Sequence, residues 1–491
     1  MTLQLLAVIR RAPVFLLLFF NTQFMPVLAA ENRYEKQQSS KSICPAQLGA
    51  AIEAVINRPQ FRRARWGILI EPLSSNPTNR PLYSREAQGY FIPASNVKLL
   101  TTAAALRQLG SEFRIRTSIY ETGAGVLRVV GRGDPSLTDA QLKDLAQQLK
   151  RQGVRNVQQL VVDNGYFQGD AINLTWDWED VQSDYGAAVN SLILNQNAVE
   201  LTLSPQQVGQ PLRVSWADAI AAKQWRLENN SVTAKAGTPN SVAVTAVLGQ
   251  PLLRIKGQLA VDAKPEVVGL PVLDPAEYFL EHFQRVLATA GISVARASVT
   301  SNRGAVGGRE LATVESSPLS ALLVETNQES NNLYAEVLLR TLGAGGSGDT
   351  TEQGLKKITE TLTALGVNSQ SYVLVDGSGL SRQNLVSPEA IAQTLKLMAQ
   401  TPQAAIYRAS LPTAGVNGTL GGRFLNTTAQ GHLQAKTGTL TAVSALSGYL
   451  DVPSYQPLVF SILLNQSDQS PSLQRQAIDE IILLLTRLHP C

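Results

Sequence analysis

Histidine and cysteine are scarce in this sequence. Its 491 residues include three histidines and two cysteines. His282 falls in an amphipathic helix predicted over 275–287, His489 is close to the last residue, and His432 has no acidic neighbour in sequence that would orient it. A Ser-His-Asp hydrolase or a zinc centre needs histidines in defined partnerships. The scarcity of histidine therefore argues against both kinds of site.

The sequence also lacks a dense block of basic residues. Its formal net charge is +4, and its 42 Lys and Arg residues are spread along the whole chain. Such a distribution supports at most a weak attraction to an anionic polymer, so we expect no nucleic-acid partner. With 44% hydrophobic and 16% charged residues, the composition is that of an ordinary globular protein with two to four structural units.

Long apolar runs are missing as well, except for a short one near the N-terminus. Two arginines at 10–11 precede apolar residues 14–20, and a Val-Leu-Ala-Ala segment at 27–30 precedes polar sequence. This pattern predicts a signal peptide over 1–30 and export to the periplasm or cell envelope. The alternative is a membrane anchor, but the apolar run is too short to span a bilayer. We expect a disordered linker over 31–43 and no integral membrane segment after cleavage.

A serine and a lysine stand three residues apart at the start of a predicted helix. Ser95 and Lys98 belong to the sequence Pro-Ala-Ser-Asn-Val-Lys, which runs into the strong helix formers of 99–106. Residues three apart share one face of a helix, so Lys98 Nζ can reach Ser95 Oγ. A lysine with a lowered pKa can take the proton of a serine hydroxyl and make it a nucleophile. Alone, the pair also fits a capping serine beside a solvated lysine.

Two further motifs favour the catalytic interpretation. Ser330-Asn331-Asn332 and Lys436-Thr437-Gly438-Thr439 follow in that order, the first at the start of a predicted helix and the second beside predicted strands. The ordered set S-x-x-K, S-x-N and K-T-G is typical of active-site-serine penicillin-binding proteins and β-lactamases. The surrounding pattern agrees, because predicted strands at 65–70, 80–84, 442–450 and 458–464 and a helix at 473–488 describe one antiparallel sheet with helices on both faces.

The stretch between Lys98 and Ser330 is too long to be a loop and contains β-like alternations, so it predicts one or two inserted domains. Here the sequence resembles the class C low-molecular-mass penicillin-binding proteins. The resemblance covers nearly the whole mature chain and includes Gly-Arg-Gly-Asp-Pro-Ser-Leu at 131–137 and Asp-Gly-Ser-Gly-Leu-Ser-Arg at 376–382. It implies an α/β (α+β) fold of the penicillin-binding/β-lactamase-like transpeptidase type, with two mainly β inserted domains. The expected ranges are 44–112 and 270–491 for the catalytic domain, 113–138 and 225–269 for inserted domain II, and 139–224 for inserted domain III.

The resemblance implies a serine D-Ala-D-Ala carboxypeptidase that trims peptidoglycan stem peptides and is inhibited by β-lactams, and it leaves D,D-endopeptidase activity open. Ser95 would attack the penultimate D-Ala carbonyl with Lys98 as base. Ser330 would relay the proton to the leaving nitrogen, Asn332 would orient Lys98 and the substrate amide, and Lys436 would supply positive charge. This chemistry needs no metal ion or organic cofactor.

The same resemblance implies which residues bind the substrate. The hydroxyls of Thr437 and Thr439 would hold the terminal carboxylate, and the backbone N–H groups of Ser95 and Thr439 would form the oxyanion hole. Gly438 and Leu440 complete this strand. For a substrate side chain such as that of diaminopimelate, the resemblance implies a further set of residues, namely Asp180, Tyr185, Leu380 and Arg382. Trp176 and Trp178 are interleaved with acidic residues, and this pattern predicts a rim over the site rather than a core.

Two other functions fit parts of the pattern. A β-lactamase shares the fold but needs fast deacylation, and no deacylating glutamate is identifiable after S-x-N. A catalytically idle cell-wall binding protein would not need the complete set of motif residues.

The two cysteines, Cys44 and Cys491, lie at opposite ends of the mature chain. In the resembling fold the first and last helices pack side by side, so a disulfide is expected, and export permits its oxidation. The alternative is two independent surface thiols.

Overall fold

The computed structural model describes residues 42–74, 80–301 and 307–491. The expected signal peptide, most of the expected linker and the turn at 75–79 lie outside the described residues. Its helices are α1 (Pro45–Ile56), α2 (Val97–Leu109), α3 (Asp139–Arg151), α4 (Ala219–Lys223), α5 (Pro275–Thr289), α6 (Leu319–Gln328), α7 (Asn332–Gly343), α8 (Thr350–Leu365), α9 (Pro388–Met398), α10 (Ala404–Ala409) and α11 (Pro471–Leu485).

The strands are numbered in chain order. They are β1 (Arg65–Pro72), β2 (Tyr83–Arg85), β3 (Arg116–Gly123), β4 (Val126–Val130), β5 (Asn156–Val157), β6 (Gln159–Asp163), β7 (Ala198–Ser204), β8 (Arg213–Trp216), β9 (Arg226–Ala234), β10 (Ala243–Ala246), β11 (Leu252–Ala260), β12 (Glu266–Pro271), β13 (Ser293–Val294), β14 (Ala297–Thr300), β15 (Arg309–Glu315), β16 (Tyr372–Val373), β17 (Leu385–Val386), β18 (Leu433–Leu440), β19 (Val443–Leu450) and β20 (Leu458–Asn465).

The main sheet is antiparallel, with five strands in the order β18–β19–β20–β1–β2. Every residue of β19 and β20 is buried because helices cover both faces of the sheet. Alternate residues of one strand enter different cores: Leu446 packs with α1 and α11, whereas Ala445 packs with α2 and α9. The predicted antiparallel sheet with helices on both faces is confirmed.

Local signals explain where the helices begin and end. α11 starts at Pro471, where proline suits the first turn, and the Ser470 hydroxyl accepts from the N–H of Leu473. α1 buries the predicted apolar stripe, from Leu48 to Ile56, against α11. No helix within the described residues is both long and apolar enough to cross a membrane.

The two ends of the described chain meet on one side of the main sheet. Ile43 N–H donates to the carbonyl of Arg487 at 2.9 Å, and His489 N–H donates back to the carbonyl of Ile43 at 3.2 Å. Beside this pair of hydrogen bonds Cys44 and Cys491 form a disulfide, with their Cα atoms 5.7 Å apart. The predicted bridge is therefore confirmed.

The inserted region differs from the division that the sequence suggests. One of its sheets has five strands in the order β14–β6–β4–β3–β15, and α5 shares its core. This sheet joins the ranges 113–138 and 139–224, which the sequence predicts to be separate domains, and it extends past residue 270 into β15. The chain thus returns to the main sheet and its helices only after β15. The sequence does not reveal this because β14 and β6 are distant in the chain and pair in parallel, and local alternation carries no information on such a partner.

The remainder of the insertion is mainly β, as predicted. Two three-stranded sheets, with the orders β12–β7–β8 and β10–β11–β9, are formed from the chain between 198 and 271. Before them, the segment 164–197 is nearly free of regular structure and contacts the loops around Ser95. This segment connects the insertion to the candidate site.

Candidate active site

Ser95 lies in a single turn of 3-10 helix, Ala94–Asn96, that leads directly into α2. Val97 to Leu106 are all buried, so α2 is the central helix of the catalytic region. Ala94 has a φ of +48°, a left-handed conformation that is uncommon for a residue with a Cβ atom. The helix predicted from the sequence is confirmed, although the nucleophile candidate stands one turn before its α-helical part.

Lys98 is completely buried and its amine is surrounded by acceptors. Lys98 Nζ lies 3.0 Å from Ser95 Oγ, 2.7 Å from Asn332 Oδ1 and 2.7 Å from the carbonyl oxygen of Ser378. Burial lowers the pKa of Lys98 to about 7, against the opposing charges of Asp376 and Glu336. A neutral amine can therefore form close to physiological pH.

Asn332 is the first residue of α7, and the fold determines the orientation of its amide. Its Nδ2 donates to the carbonyl of Tyr185 at 3.0 Å, so its Oδ1 is directed to Lys98. The preceding residue, Asn331, caps the helix, because its side chain accepts from the N–H of Tyr334. The S-x-N motif thus provides two adjacent side chains with different roles: Asn331 caps the helix, and the amide of Asn332 orients Lys98.

Ser330 and Lys436 form a second serine–lysine pair. Lys436 Nζ donates to Ser330 Oγ at 2.8 Å and to the carbonyl of Thr437 at 3.0 Å, and the side chain is completely buried. Burial, and after it the positive charge of Lys98, hold the pKa of Lys436 well below its usual range. Ser330 has a φ of +59°, an uncommon conformation of the kind that is often found at functional sites.

β18 carries the K-T-G motif and is the outermost strand of the main sheet. A Cβ atom on Gly438 would lie 2.9 Å from the carbonyl oxygen of Pro93 and 3.1 Å from the Cβ of Ala94, so glycine lets the strand approach the Ser95 turn. Thr437 Oγ1 donates to Thr419 Oγ1 at 2.8 Å. Thr439 is exposed, whereas Leu440 is half-buried and packs against the main core.

The loop 376–382 lies beneath Lys98 and contains a buried carboxylate that the sequence did not single out. Asp376 accepts from the N–H groups of Gly379 and Ser381, both at 2.7 Å, and from Asn384 Nδ2 at 2.8 Å. Trp176 Nε1 donates to the same carboxylate at 3.0 Å. Trp176 is therefore part of the core and not of the predicted rim.

A second buried carboxylate, Glu336, lies one helical turn after Asn332. Its Oε1 accepts from the N–H groups of Gly377 and Ser378 at 2.9 and 2.7 Å. Burial, followed by the charge of Asp376, raises the pKa of Glu336 to about 7. The four-residue spacing from Asn332, on the same face of α7, is the one signal in the sequence that would have indicated it.

The four residues predicted for a substrate side chain do not all reach the surface. Tyr185 is 46% exposed, and its hydroxyl donates to Asp180 Oδ1 at 3.1 Å. Arg382 donates from Nη1 to the carbonyl of Thr441 at 2.9 Å, and its charge opposes the raising effect of burial on the pKa of Asp180. Leu380 is 6% exposed and packs in the main core, so the structure does not bring it to the rim.

Histidine takes no part in this constellation. His282 lies in the inserted region, with Nδ1 3.0 Å from Asp139 Oδ1 and Nε2 2.8 Å from Asp218 Oδ2. Within residues 42–74, 80–301 and 307–491, no group of three or more His, Cys, Asp or Glu side chains is arranged to hold a metal ion.

Comparison with known proteins agrees with this geometry. A model of the D-Ala-D-Ala carboxypeptidase 3 (S13) family matches residues 48–487. The D-alanyl-D-alanine carboxypeptidase of Actinomadura sp. (strain R39) is 33% identical over 464 residues, which cover 88% of this chain and 84% of that protein. The D-alanyl-D-alanine carboxypeptidase DacB of Haemophilus influenzae is 26% identical over 393 residues, which cover 77% of this chain and 81% of that protein.

Solved structures share the fold. The crystal structure of penicillin binding protein 4 from Haemophilus influenzae has a TM-score of 0.77 at 24% identity and covers 89% of this chain and 98% of that one. A predatory peptidoglycan endopeptidase from Bdellovibrio bacteriovorus has a TM-score of 0.51 at 17% identity, with 86% of this chain and 92% of that one covered. Together with the family match over nearly the whole described chain, these similarities mean that the protein belongs to the D-Ala-D-Ala carboxypeptidase 3 (S13) family.

Proposed function

We propose that this protein is a serine-type D-Ala-D-Ala carboxypeptidase that trims peptidoglycan stem peptides through an acyl-enzyme. One observation carries the proposal: a completely buried lysine amine lies 3.0 Å from a serine hydroxyl at the start of the central helix. Membership of the S13 family and the names of its relatives support the same substrate class. β-Lactams would acylate the same serine, because their strained amide imitates the D-Ala-D-Ala terminus.

The first step would transfer a proton from Ser95 to Lys98. Asn332 Oδ1 and the Ser378 carbonyl are acceptors only, so the two N–H bonds of a neutral amine are directed to them. The nitrogen lone pair is then left for the hydroxyl of Ser95. As Oγ bonds to the carbonyl carbon of the penultimate D-Ala, its proton passes to Nζ and the negative charge moves to the carbonyl oxygen.

The backbone N–H groups of Ser95 and Thr439 would stabilise that oxyanion. A donor in such a position contributes ~3–4 kcal/mol to the transition state in other enzymes. The contact of Gly438 with the Ser95 turn supports this proposal, because it keeps the strand and the turn next to each other. The hydroxyls of Thr437 and Thr439 and the charge of Lys436 would bind the terminal carboxylate.

Ser330 would relay the proton from Lys98 to the leaving group. As the C–N bond breaks, the hydroxyl of Ser330, hydrogen-bonded to Lys436 Nζ, would donate its proton to the nitrogen of the departing D-Ala, and Ser330 Oγ would take the proton that Lys98 Nζ received from Ser95. In deacylation a water molecule would lose one proton to Lys98 Nζ as its oxygen bonds to the ester carbon, and that proton would pass to Ser95 Oγ as the bond between the carbon and Oγ breaks. Carboxypeptidase and endopeptidase reactions share this sequence of steps and differ only in the amine that leaves.

Covalent labelling with a fluorescent penicillin tests the proposal. We expect one labelled serine, in a peptide that contains Ser95, and an adduct that survives for minutes. Ser95→Ala should remove both the label and the release of D-Ala while the protein stays folded, and Lys98→Ala should lower acylation by several orders of magnitude. A label that survives Ser95→Ala would contradict the assignment. No label on the wild type would favour an idle binding protein, and rapid loss of the label a β-lactamase.

The rim of the site supports a preference for a diaminopimelyl side chain. Asp180 would bind its ammonium, Tyr185 would cover its apolar stem, and Arg382 or a nearby backbone group would bind its carboxylate. The exposed hydroxyl of Tyr185, hydrogen-bonded to Asp180, supports this arrangement.

We therefore expect the wild type to turn over diaminopimelyl muropeptides faster than lysyl muropeptides, and Asp180→Ala to lower kcat/KM for diaminopimelyl substrates roughly 10-fold or more. Competition between the two muropeptides measures this. Equal turnover of both by the wild type, unaffected by Asp180→Ala, would exclude the preference.

Export of the protein belongs to the same proposal. The disulfide between Cys44 and Cys491 supports an oxidising compartment, as does the predicted signal peptide. Fractionation of the native host, with N-terminal sequencing of the mature chain, should find it in the envelope and beginning at Ala30 or Glu31.

A further inference from the structure

Glu336 is a buried carboxylate behind the reactive lysine and contacts no surface that a substrate could reach. Its residue exposure is 2%, and its Oε1 accepts from two consecutive backbone N–H groups, those of Gly377 and Ser378. Burial of a carboxylate costs free energy unless hydrogen bonds or an opposite charge compensate it. The groups that Glu336 contacts therefore indicate its role.

A short chain of hydrogen bonds connects Glu336 to Lys98. Ser378 donates its N–H to Glu336, and the carbonyl of the same residue accepts from Lys98 Nζ at 2.7 Å. The next peptide N–H, that of Gly379, donates to Asp376. Two carboxylates therefore fix the peptide groups before and after Ser378, whose carbonyl accepts from Lys98 Nζ. Asp376 accepts from four hydrogen-bond donors and Glu336 from two.

The charges around this chain determine how strongly Glu336 acts on Lys98. Both carboxylates favour the protonated lysine, whereas burial and Lys436 oppose it. The charged groups that face the pair from the surrounding elements are Lys436 on β18, Asp376 on the loop, Arg340 on α7 and, further out, Glu329 beside Lys436 and Asp170 and Asp349 beside Arg340.

We propose that Glu336 is a positioning residue for the lysine base: it holds the Ser378 carbonyl against Lys98 Nζ, and its negative charge adjusts the pH at which Lys98 can accept the proton of Ser95. The proposal rests on the function proposed above, in which Lys98 is the base. Glu336 touches neither substrate nor the reacting atoms.

The pH dependence of acylation tests the proposal. The second-order rate constant for fluorescent penicillin would be measured from pH 5 to 9 for the wild type and Glu336→Gln, a substitution that keeps an acceptor oxygen for the two N–H groups and removes the charge. We expect the midpoint of the acid limb to move to lower pH by ~0.5 to 1 unit in the variant, because loss of the carboxylate charge lowers the pKa of Lys98. The two profiles should converge towards pH 5, because burial raises the pKa of Glu336 to about 7 and the wild-type side chain is uncharged there as well. A midpoint at the wild-type position would overturn the proposal, even if the plateau rate fell.

Two further variants separate this role from a merely structural one. Glu336→Asp keeps the charge and shortens the reach, so its acid limb should stay where it is in the wild type while its plateau falls; an unchanged plateau would contradict the positioning role, even if Glu336→Gln did not fold. Asp479→Asn removes a partly buried carboxylate that pairs with Arg423 on another side of the molecule, and it should leave the acid limb in place. Absence of wild-type labelling would instead disprove the underlying function.

Discussion

At the scale of the residue, the behaviour of Lys98 depends on two features that act together. Complete burial favours its neutral form, and two permanent acceptors occupy its N–H bonds so that its lone pair can meet the Ser95 hydroxyl. Either feature alone would be insufficient: a solvated lysine would stay protonated at neutral pH, and a buried lysine without acceptors would have no fixed orientation.

The first prediction concerns pH. The wild-type rate of acylation should rise with pH through a midpoint near 7, because the neutral amine is the active form and burial lowers the pKa of Lys98 to about 7. Below the midpoint the rate should fall ~10-fold per pH unit. Stopped-flow measurement with a fluorescent penicillin checks this, with circular dichroism at each pH as the control for folding. A midpoint close to that of a free lysine would mean that Lys98 is not the base.

At the scale of the element, the active site exists because a loop, a turn and a strand lie in close contact. The loop 376–382 touches the turn that carries Ser95 at Gly379, where a Cβ atom would lie 1.9 Å from the carbonyl oxygen of Ala94. On the other side of the turn, Gly438 of β18 approaches Pro93 and Ala94. Two glycines thus allow three elements to converge on one serine.

Gly379→Ala should therefore damage the site as well as the fold. Gly379 has a φ of +81° and Gly291, just after α5 in the inserted region, a φ of +79°, so alanine at either position adds ~1–2 kcal/mol of backbone strain. A methyl group added at Gly291 would have no atom within 4 Å of it, which makes Gly291→Ala the control for backbone strain alone. We expect a larger loss of thermal stability in Gly379→Ala, whose methyl group must also displace the Ala94 carbonyl, and a roughly 10- to 100-fold loss of acylation rate in Gly379→Ala alone. Equal acylation rates would mean that the Ser95 turn tolerates displacement.

At the scale of the whole molecule, the inserted region hydrogen-bonds to the active site, and a disulfide joins the two ends of the described chain. Asn173, Trp176 and Tyr185 each hydrogen-bond to a loop or helix next to Lys98, so the inserted region completes the environment of the reactive lysine. The disulfide joins residues 447 positions apart in the sequence. In the chain-entropy model a loop of that length stabilises the folded state by ~5–6 kcal/mol, although measured effects are smaller.

Removing the disulfide should lower stability without changing the chemistry. Cys44→Ser with Cys491→Ser should reduce Tm by roughly 5 °C or more and leave the rate of penicillin acylation unchanged, because both residues lie across the main sheet from Ser95. Differential scanning fluorimetry of the double variant measures this, and the reduced wild type is the control. An unchanged Tm in both would show that the hydrogen bonds between Ile43 and the last residues hold the chain ends without the bridge.

Much of the site could be predicted from the sequence because its chemistry lies in short motifs. Ser95 with Lys98, and Ser330 with Asn332, are local pairs whose geometry follows from helix spacing and capping. Strands and helices of the main sheet were predictable for the same reason, since apolar periodicity is a local property. Even the disulfide could be expected, once the resemblance placed the first and last helices together.

What only the tertiary structure decided is the environment of those motifs. The sequence did not indicate that Glu336 and Asp376 converge behind Lys98, that Trp176 is a buried donor, that Leu380 packs in the core, or that β14 pairs with β6. Each of these depends on contacts between segments far apart in the chain, whose free energy is not a function of either segment alone. A motif determines which groups can react; burial and long-range hydrogen bonds determine the pKa values at which they do so.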